Sequence, residues 1–137
     1  MIVIAYDGST DAQAAVRQAA ALMPGHAAIV LAVEERSVDA ESRAREGAEL
    51  GHEFGIDCRA RTRPRRGTVA ATIAAEARDA GADAIVIGRR GRRSAPPRRL
   101  GSVCETVLAE APVAVLVVST EGSRGLAMAA TNSRAVA

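Results

Sequence analysis

Four short apolar runs constrain this chain more than any other feature: Ile2 to Ala5, Ala27 to Val33, Ala84 to Ile87 and Val113 to Val118. Each is solid rather than alternating, the pattern of a β-strand covered on both faces. Between them lie stretches with apolar residues at helical spacing. Asp11 to Met23 carries Ala12, Ala15, Val16, Ala19, Leu22 and Met23 and stops at Pro24-Gly25. Asp39 to Phe54 is rich in Ala, Glu and Arg, only weakly amphipathic, and ends at Gly55. Thr68 to Ala80 turns Val69, Ile73, Ala74 and Ala77 inward and closes at Gly81. Val103, Val107, Leu108 and Ala111 line one face of a last helix, ended by Pro112. The stretch Cys58-Arg59-Ala60-Arg61-Thr62-Arg63 alternates with period two, which predicts an edge strand with arginines on its solvated face.

The order is β-α-β-α-β-α-β-loop-α-β with no hairpin signal. It predicts an α/β domain over residues 1–120, a five-stranded parallel sheet with helices on both faces. Residues 121–137 lack periodicity and are expected to form a flexible C-terminal tail. One Phe, one Tyr and no Trp leave the core to Ala, Val, Ile and Leu, which suits helices lying close on a sheet.

Several chemistries are excluded at this point. All 18 basic residues are Arg, so neither a P-loop lysine nor Schiff-base chemistry is available. Cys58 and Cys104, with the isolated His26 and His52, make neither a disulfide framework nor a metal pattern, so no metal site is expected. The opening Met1-Ile2-Val3-Ile4-Ala5 goes straight into a strand without a basic leader, and no apolar run approaches the ~20 residues of a membrane span. The expectation is a soluble, cytoplasmic protein.

The chemistry concentrates after the fourth strand, in Gly88-Arg89-Arg90-Gly91-Arg92-Arg93-Ser94-Ala95-Pro96-Pro97-Arg98-Arg99-Leu100-Gly101-Ser102. A glycine-bearing loop from a strand end to a helix start can hold an anion. Backbone N–H groups approach it closely and the helix N-terminus adds partial positive charge. Six arginines reinforce that field. In a parallel sheet, ligands bind beyond the strands' carboxyl ends, where strand order reverses. Asp7, Val33, Arg63 to Arg66 and Gly88 onward share that rim.

The spacing Gly88-x2-Gly91-x9-Gly101-Ser102, between strand and helix, resembles the nucleotide-binding signature of the ATP-binding universal stress proteins. The opening Ile2-Val3-Ile4-Ala5-Tyr6-Asp7-Gly8-Ser9 and the closing Ser102-Val103 to Val113-x-Val115-Leu116-Val117-Val118 are similar to the same family, over residues 1 to about 120. The resemblance implies a Rossmann-like, adenine-nucleotide-binding sandwich with strand order 3-2-1-4-5. By the family's pattern Asp7, Gly8 and Ser9 sit by the nucleoside, with Asp7 beside Mg²⁺ where one accompanies ATP. Val33 meets the adenine through its backbone, and Gly88, Arg89 and Gly91 line the ribose and phosphates. Gly101, Ser102 and Val103 offer backbone N–H groups to the phosphates. The family also pairs its last strand, here Val113 to Val118, across a two-fold axis, which implies a homodimer. Two departures stand out: Cys104 replaces a frequent hydroxyl, and the loop between Gly91 and Gly101 is rewritten in Arg and Pro.

Three functions follow. The first is an ATP-binding, nucleotide-responsive stress regulator with no catalytic residue assigned, slow hydrolysis aside. The second is a dimeric module with lost or weak nucleotide binding that docks acidic partners or nucleic acid on its arginine rim. Against nucleic acid stands the lack of a nearby aromatic for base stacking. A dinucleotide oxidoreductase is disfavoured, because no Gly-x-Gly-x-x-Gly follows the first strand. Cys104 reads as a small half-buried hydrophobe, and His26 and His52 as surface residues.

Overall fold

The computed structural model describes residues 1–36, 39–91 and 100–120. Nine elements follow in chain order. They are β1 (Ile2–Ala5), α1 (Thr10–Leu22), β2 (Ala28–Glu34), α2 (Ala40–Glu53), β3 (Cys58–Pro64), α3 (Val69–Asp79), β4 (Ala84–Gly88), α4 (Ser102–Glu110) and β5 (Ala114–Val118). The strands form one parallel sheet in the order β3-β2-β1-β4-β5. Both the sandwich and its strand order are therefore as expected. The tail 121–137 and the arginine- and proline-rich stretch 92–99 lie outside the described residues.

The solid apolar runs have a direct structural cause. In β1, Ile2 and Ile4 point into one core layer, with Tyr6, Ala15, Val16 and Ala48, while Val3 and Ala5 join a second, with Ile73, Ile85 and Val107. A strand buried on both faces has no polar position to alternate with. The first layer lies under α1 and α2 and the second under α3 and α4. The weak amphipathicity of α2 also finds its reason. Its buried face is Ala40, Ala44, Gly47, Ala48 and Gly51, small residues that let the helix sit close to the sheet. A Cβ on Gly47 would lie 2.7 Å from Val30 Cγ1 and 2.8 Å from Tyr6 Cγ.

Three local expectations need correction. On α4 the buried residues are Cys104 and Val107, while Leu108 faces out. Cys104 is fully rather than half buried. On α3, Glu76 is completely buried beside Ile73, Ala74 and Ala77, while Val69 is only partly covered. That glutamate changes the meaning of β3, whose arginines are not simply solvated. Arg61 Nη1 and Arg63 Nε meet the Glu76 carboxylate at 3.0 and 2.5 Å, and Arg63 Nη2 reaches Asp79 at 2.7 Å. The period-two arginines supply the countercharge that a buried carboxylate requires.

Candidate functional site

Parallel strands put every following turn at one end of the sheet, and all four helices begin there. Ser9 caps α1, its Oγ accepting from Ala12 N at 3.1 Å, and its own N–H donates to Asp7 Oδ1 at 2.9 Å. Thr68 caps α3, its Oγ1 accepting from Ala71 N at 3.0 Å. The N-cap of α4 is Gly101, with no side-chain cap. At the opposite extreme of treatment, α2 is capped by Asp39 through Ser42 N. Among the four helices only α4 starts without a side-chain cap. Its first-turn N–H groups have no partner inside the helix either.

The turns enclose a cleft of about 460 Å³, within the range of small-molecule sites. Its floor is Ala5, Ala70, Ile73 and Ile87. Asp7, Ser9, Gly88, Arg89, Gly91, Gly101, Ser102 and Val103 line the β1 and β4 side. Eight of the ten residues singled out from the sequence are thus brought together. Gly8 and Val33 are not on the lining. Gly8 faces α2, and Val33 pairs with Arg63 on β3 and packs on the cluster beneath the cleft.

The glycines do different things. A Cβ on Gly91 would lie 2.8 Å from Asp7 Oδ2, so the switch point does set the loop against the Asp7 carboxylate. A Cβ on Gly88 would stand 2.8 Å from both the carbonyl carbon and the Cβ of Asp11. Gly88 is thus required by the close approach of β4 to α1, whatever its contact with a ligand. At Gly101 an added Cβ would meet Arg89 O and Arg90 Cα at 3.4 Å and Gly91 N at 3.6 Å. Its N–H donates to Arg89 O at 2.8 Å, which closes the loop on itself. Of the three amides expected at the phosphates, that of Gly101 is therefore already engaged, and those of Ser102 and Val103 remain at the helix start.

Several residues of this end were not anticipated. Asp11, on the first turn of α1, is buried and accepts hydrogen bonds from Arg90 N and Thr120 N, each 3.1 Å, and from the Thr120 hydroxyl. It joins the loop after β4 to the end of β5. Glu35 faces Arg65, one of the arginines expected on the rim, at 3.6 Å on the far side of the cleft, near Thr68. The cap motif Thr68-x-x-Ala71 after the Arg65-Arg66-Gly67 turn was the signal that could have placed Thr68 there. Cys104, also on the lining, has its thiol pushed up to about 11 by burial first and Glu105 second, against the opposing pull of Arg89. Burial overrides the thiolate-favouring helix start here.

A profile of the "Universal stress protein family" matches residues 1–119. The fold is similar to that of a universal stress protein from Archaeoglobus fulgidus, 25% identical, with a TM-score of 0.71 over 85% of this chain and 96% of that one. The universal stress protein from Archaeoglobus fulgidus in complex with dAMP is 25% identical, with a TM-score of 0.70 over 85% of this chain and 95% of that one. A universal stress protein in complex with cAMP is 26% identical, with a TM-score of 0.67 over 85% and 94%. No curated protein sequence matches. No helix among the described residues is long and apolar enough to cross a membrane. A profile match over most of the chain, on this sheet order, establishes that the chain belongs to the universal stress protein family.

Proposed function

We propose that the protein binds an adenine nucleotide, ATP in the first instance, in the cleft and acts as a nucleotide-responsive regulator in the cytoplasmic stress response. The observation that carries this reading is the uncapped start of α4 at the end of the glycine loop. The other helices complete their first turns with their own side chains, and this one presents backbone donors and a dipole end to the cleft. Ser102 and Val103 would meet phosphate oxygens there. Asp7 and Ser9 would lie along the ribose, and Gly91 would keep the loop close to both. A magnesium ion travelling with ATP would find the Asp7 carboxylate. The apolar floor of Ala5, Ala70 and Ile73 suits a base, and Val33 would address it through its backbone from the neighbouring strand end. Two related proteins that are at least 25% identical are described in complex with dAMP and cAMP, which supports the adenine class.

The reading is of a binder, not a turnover enzyme. A homodimer through the β5 edge belongs to the same proposal, because β5 pairs only with β4 among the described residues and its outer edge is an open template. The rival reading of an anion-docking arginine rim loses force, since Arg61, Arg63 and Arg65 are engaged by Glu76, Asp79 and Glu35.

The test is to release small molecules from the purified protein by heat or acid, identify them, and titrate ATP by calorimetry. An adenine nucleotide released, or ATP bound, is expected. Neither appearing would sink the reading, and steeply salt-dependent polyanion binding that ATP leaves untouched would favour the rival.

A further inference from the structure

We propose that Arg43 of α2, which stands outside the cleft, is the positioning residue for Asp7 and so sets nucleotide affinity from behind the site. The inference rests on the nucleotide reading above. After β1 the chain turns sharply through Asp7, Gly8 and Ser9, with Gly8 at a φ of 82°. Arg43 Nη1 donates a hydrogen bond to the Asp7 carbonyl across 36 positions of sequence. The Asp7 carboxylate, in contrast, accepts from Ser9 N and lies against Gly91 within the cleft. The backbone of one residue is therefore held by α2 while its side chain serves the opposite side.

Gly8 has a second reason to lack a side chain. A Cβ there would lie 2.7 Å from Arg43 Nη1 and 3.7 Å from Glu46 Oε2, so the guanidinium occupies the space a side chain would need. Further along the same helix, the missing Cβ of Gly47 lets α2 settle onto the Tyr6 ring. Glu46 and Gln13 both stand beside the Tyr6 hydroxyl. Gln13 Nε2 also reaches Gly8 O at 3.5 Å. Arg43, Glu46 and Gln13 thus grip Tyr6, Asp7 and Gly8 from two helices. Of these only Arg43 brings a full charge to the Asp7 carbonyl, and charge-assisted bonds are the strong ones. A bond of that kind fixes where the carboxylate starts from. A side chain presented in its bound geometry binds more tightly than one that must be ordered.

The experiment measures ATP affinity by calorimetry on the full chain for wild type, R43M, R43K, D7A and the D7A/R43M double variant. Exchange of the Ser9 amide in the absence of nucleotide is followed by NMR. R43M keeps the stem and removes the donors, and its affinity should fall about tenfold, the equivalent of one charge-assisted hydrogen bond. R43K restores one donor and should recover most of that loss. In the D7A background R43M should weaken binding no further, and Ser9 exchange should quicken in R43M and not in R43K. Wild-type affinity in R43M overturns the assignment of Arg43 alone. Additive losses in the double variant overturn it too, because they mean that Arg43 does not act through Asp7. A wild type that binds no ATP overturns the nucleotide reading, and with it this role of Arg43.

Discussion

Asp7 and Asp11 stand four positions apart in the chain and have opposite fates. Asp7 sits at the end of β1, partly exposed, on the wall of the cleft and against Gly91. Asp11 is buried, and its carboxylate is taken up by the chain itself, through Arg90 N, Thr120 N and the Thr120 hydroxyl. The first carboxylate lines the cleft while it accepts from Ser9 N. The second ties the loop after β4 to the end of β5. The pair shows that a binding site needs polar groups of two kinds, and that only one kind carries a family signature.

The largest expected effect separates them by stability. Replacing the buried Asp11 with alanine removes the acceptor of the Arg90 and Thr120 amides in a part-buried setting, at ~1–3 kcal/mol for each group that water does not reach. D11A should therefore lose about 3 kcal/mol in urea unfolding. D7A should lose less than about 1 kcal/mol, as for a turn residue outside the core, while ATP affinity falls at least about tenfold. If D11A unfolds like wild type, or D7A loses as much stability as D11A, the division between the two aspartates is wrong.

The glycines of the loop repeat the comparison on a smaller scale. G88A drives a Cβ into the backbone of Asp11 and should cost about 1–3 kcal/mol, as overpacking does. G101A meets ordinary van der Waals contacts at a φ of −67° and should keep wild-type stability within about 0.5 kcal/mol. Its added methyl instead stands against Arg89, Arg90 and Gly91 on the cleft wall, so nucleotide affinity should drop with little loss of thermal stability. A G101A protein that melts well below wild type would mean that Gly101, like Gly88, serves the fold.

These contrasts explain what the sequence could and could not say. Every strand and helix was readable, because solid apolar runs and helical spacing report burial directly, and the ends fell within a residue or two. The rim was readable because all turns of a parallel sheet gather at one end. What stayed hidden were polar partnerships between distant positions. Nothing in the Cys58–Pro64 stretch says that its arginines serve Glu76, and nothing on α2 says that Arg43 serves Asp7. A charged residue looks solvated in sequence whether or not a partner waits across the fold. Leu108 misled for the converse reason, since an apolar residue on a short edge helix can face solvent while the smaller Cys104 fills the core.

The smallest effect concerns Cys104, buried on the α4 side of the cleft, against the general rule that a thiol at a helix start is acidified. Its value of about 11 means the folded protein holds the proton where an unfolded chain, with a thiol near ~8.5, has already lost it. Between those limits the folded state binds more protons than the unfolded state, so stability falls as pH rises. The contribution is complete below about pH 8 and is lost progressively toward pH 11, with the burial of Cys58 acting in the same direction. Urea midpoints measured from pH 8 to 10.5 should decline less steeply in C104A than in wild type. Alkylation of the native thiol by iodoacetamide at pH 7.5 should be slow and should accelerate only toward pH 11. Rapid modification at neutral pH would show instead that the start of α4 does acidify the thiol, and with it that the helix dipole, not burial, dominates this side of the cleft.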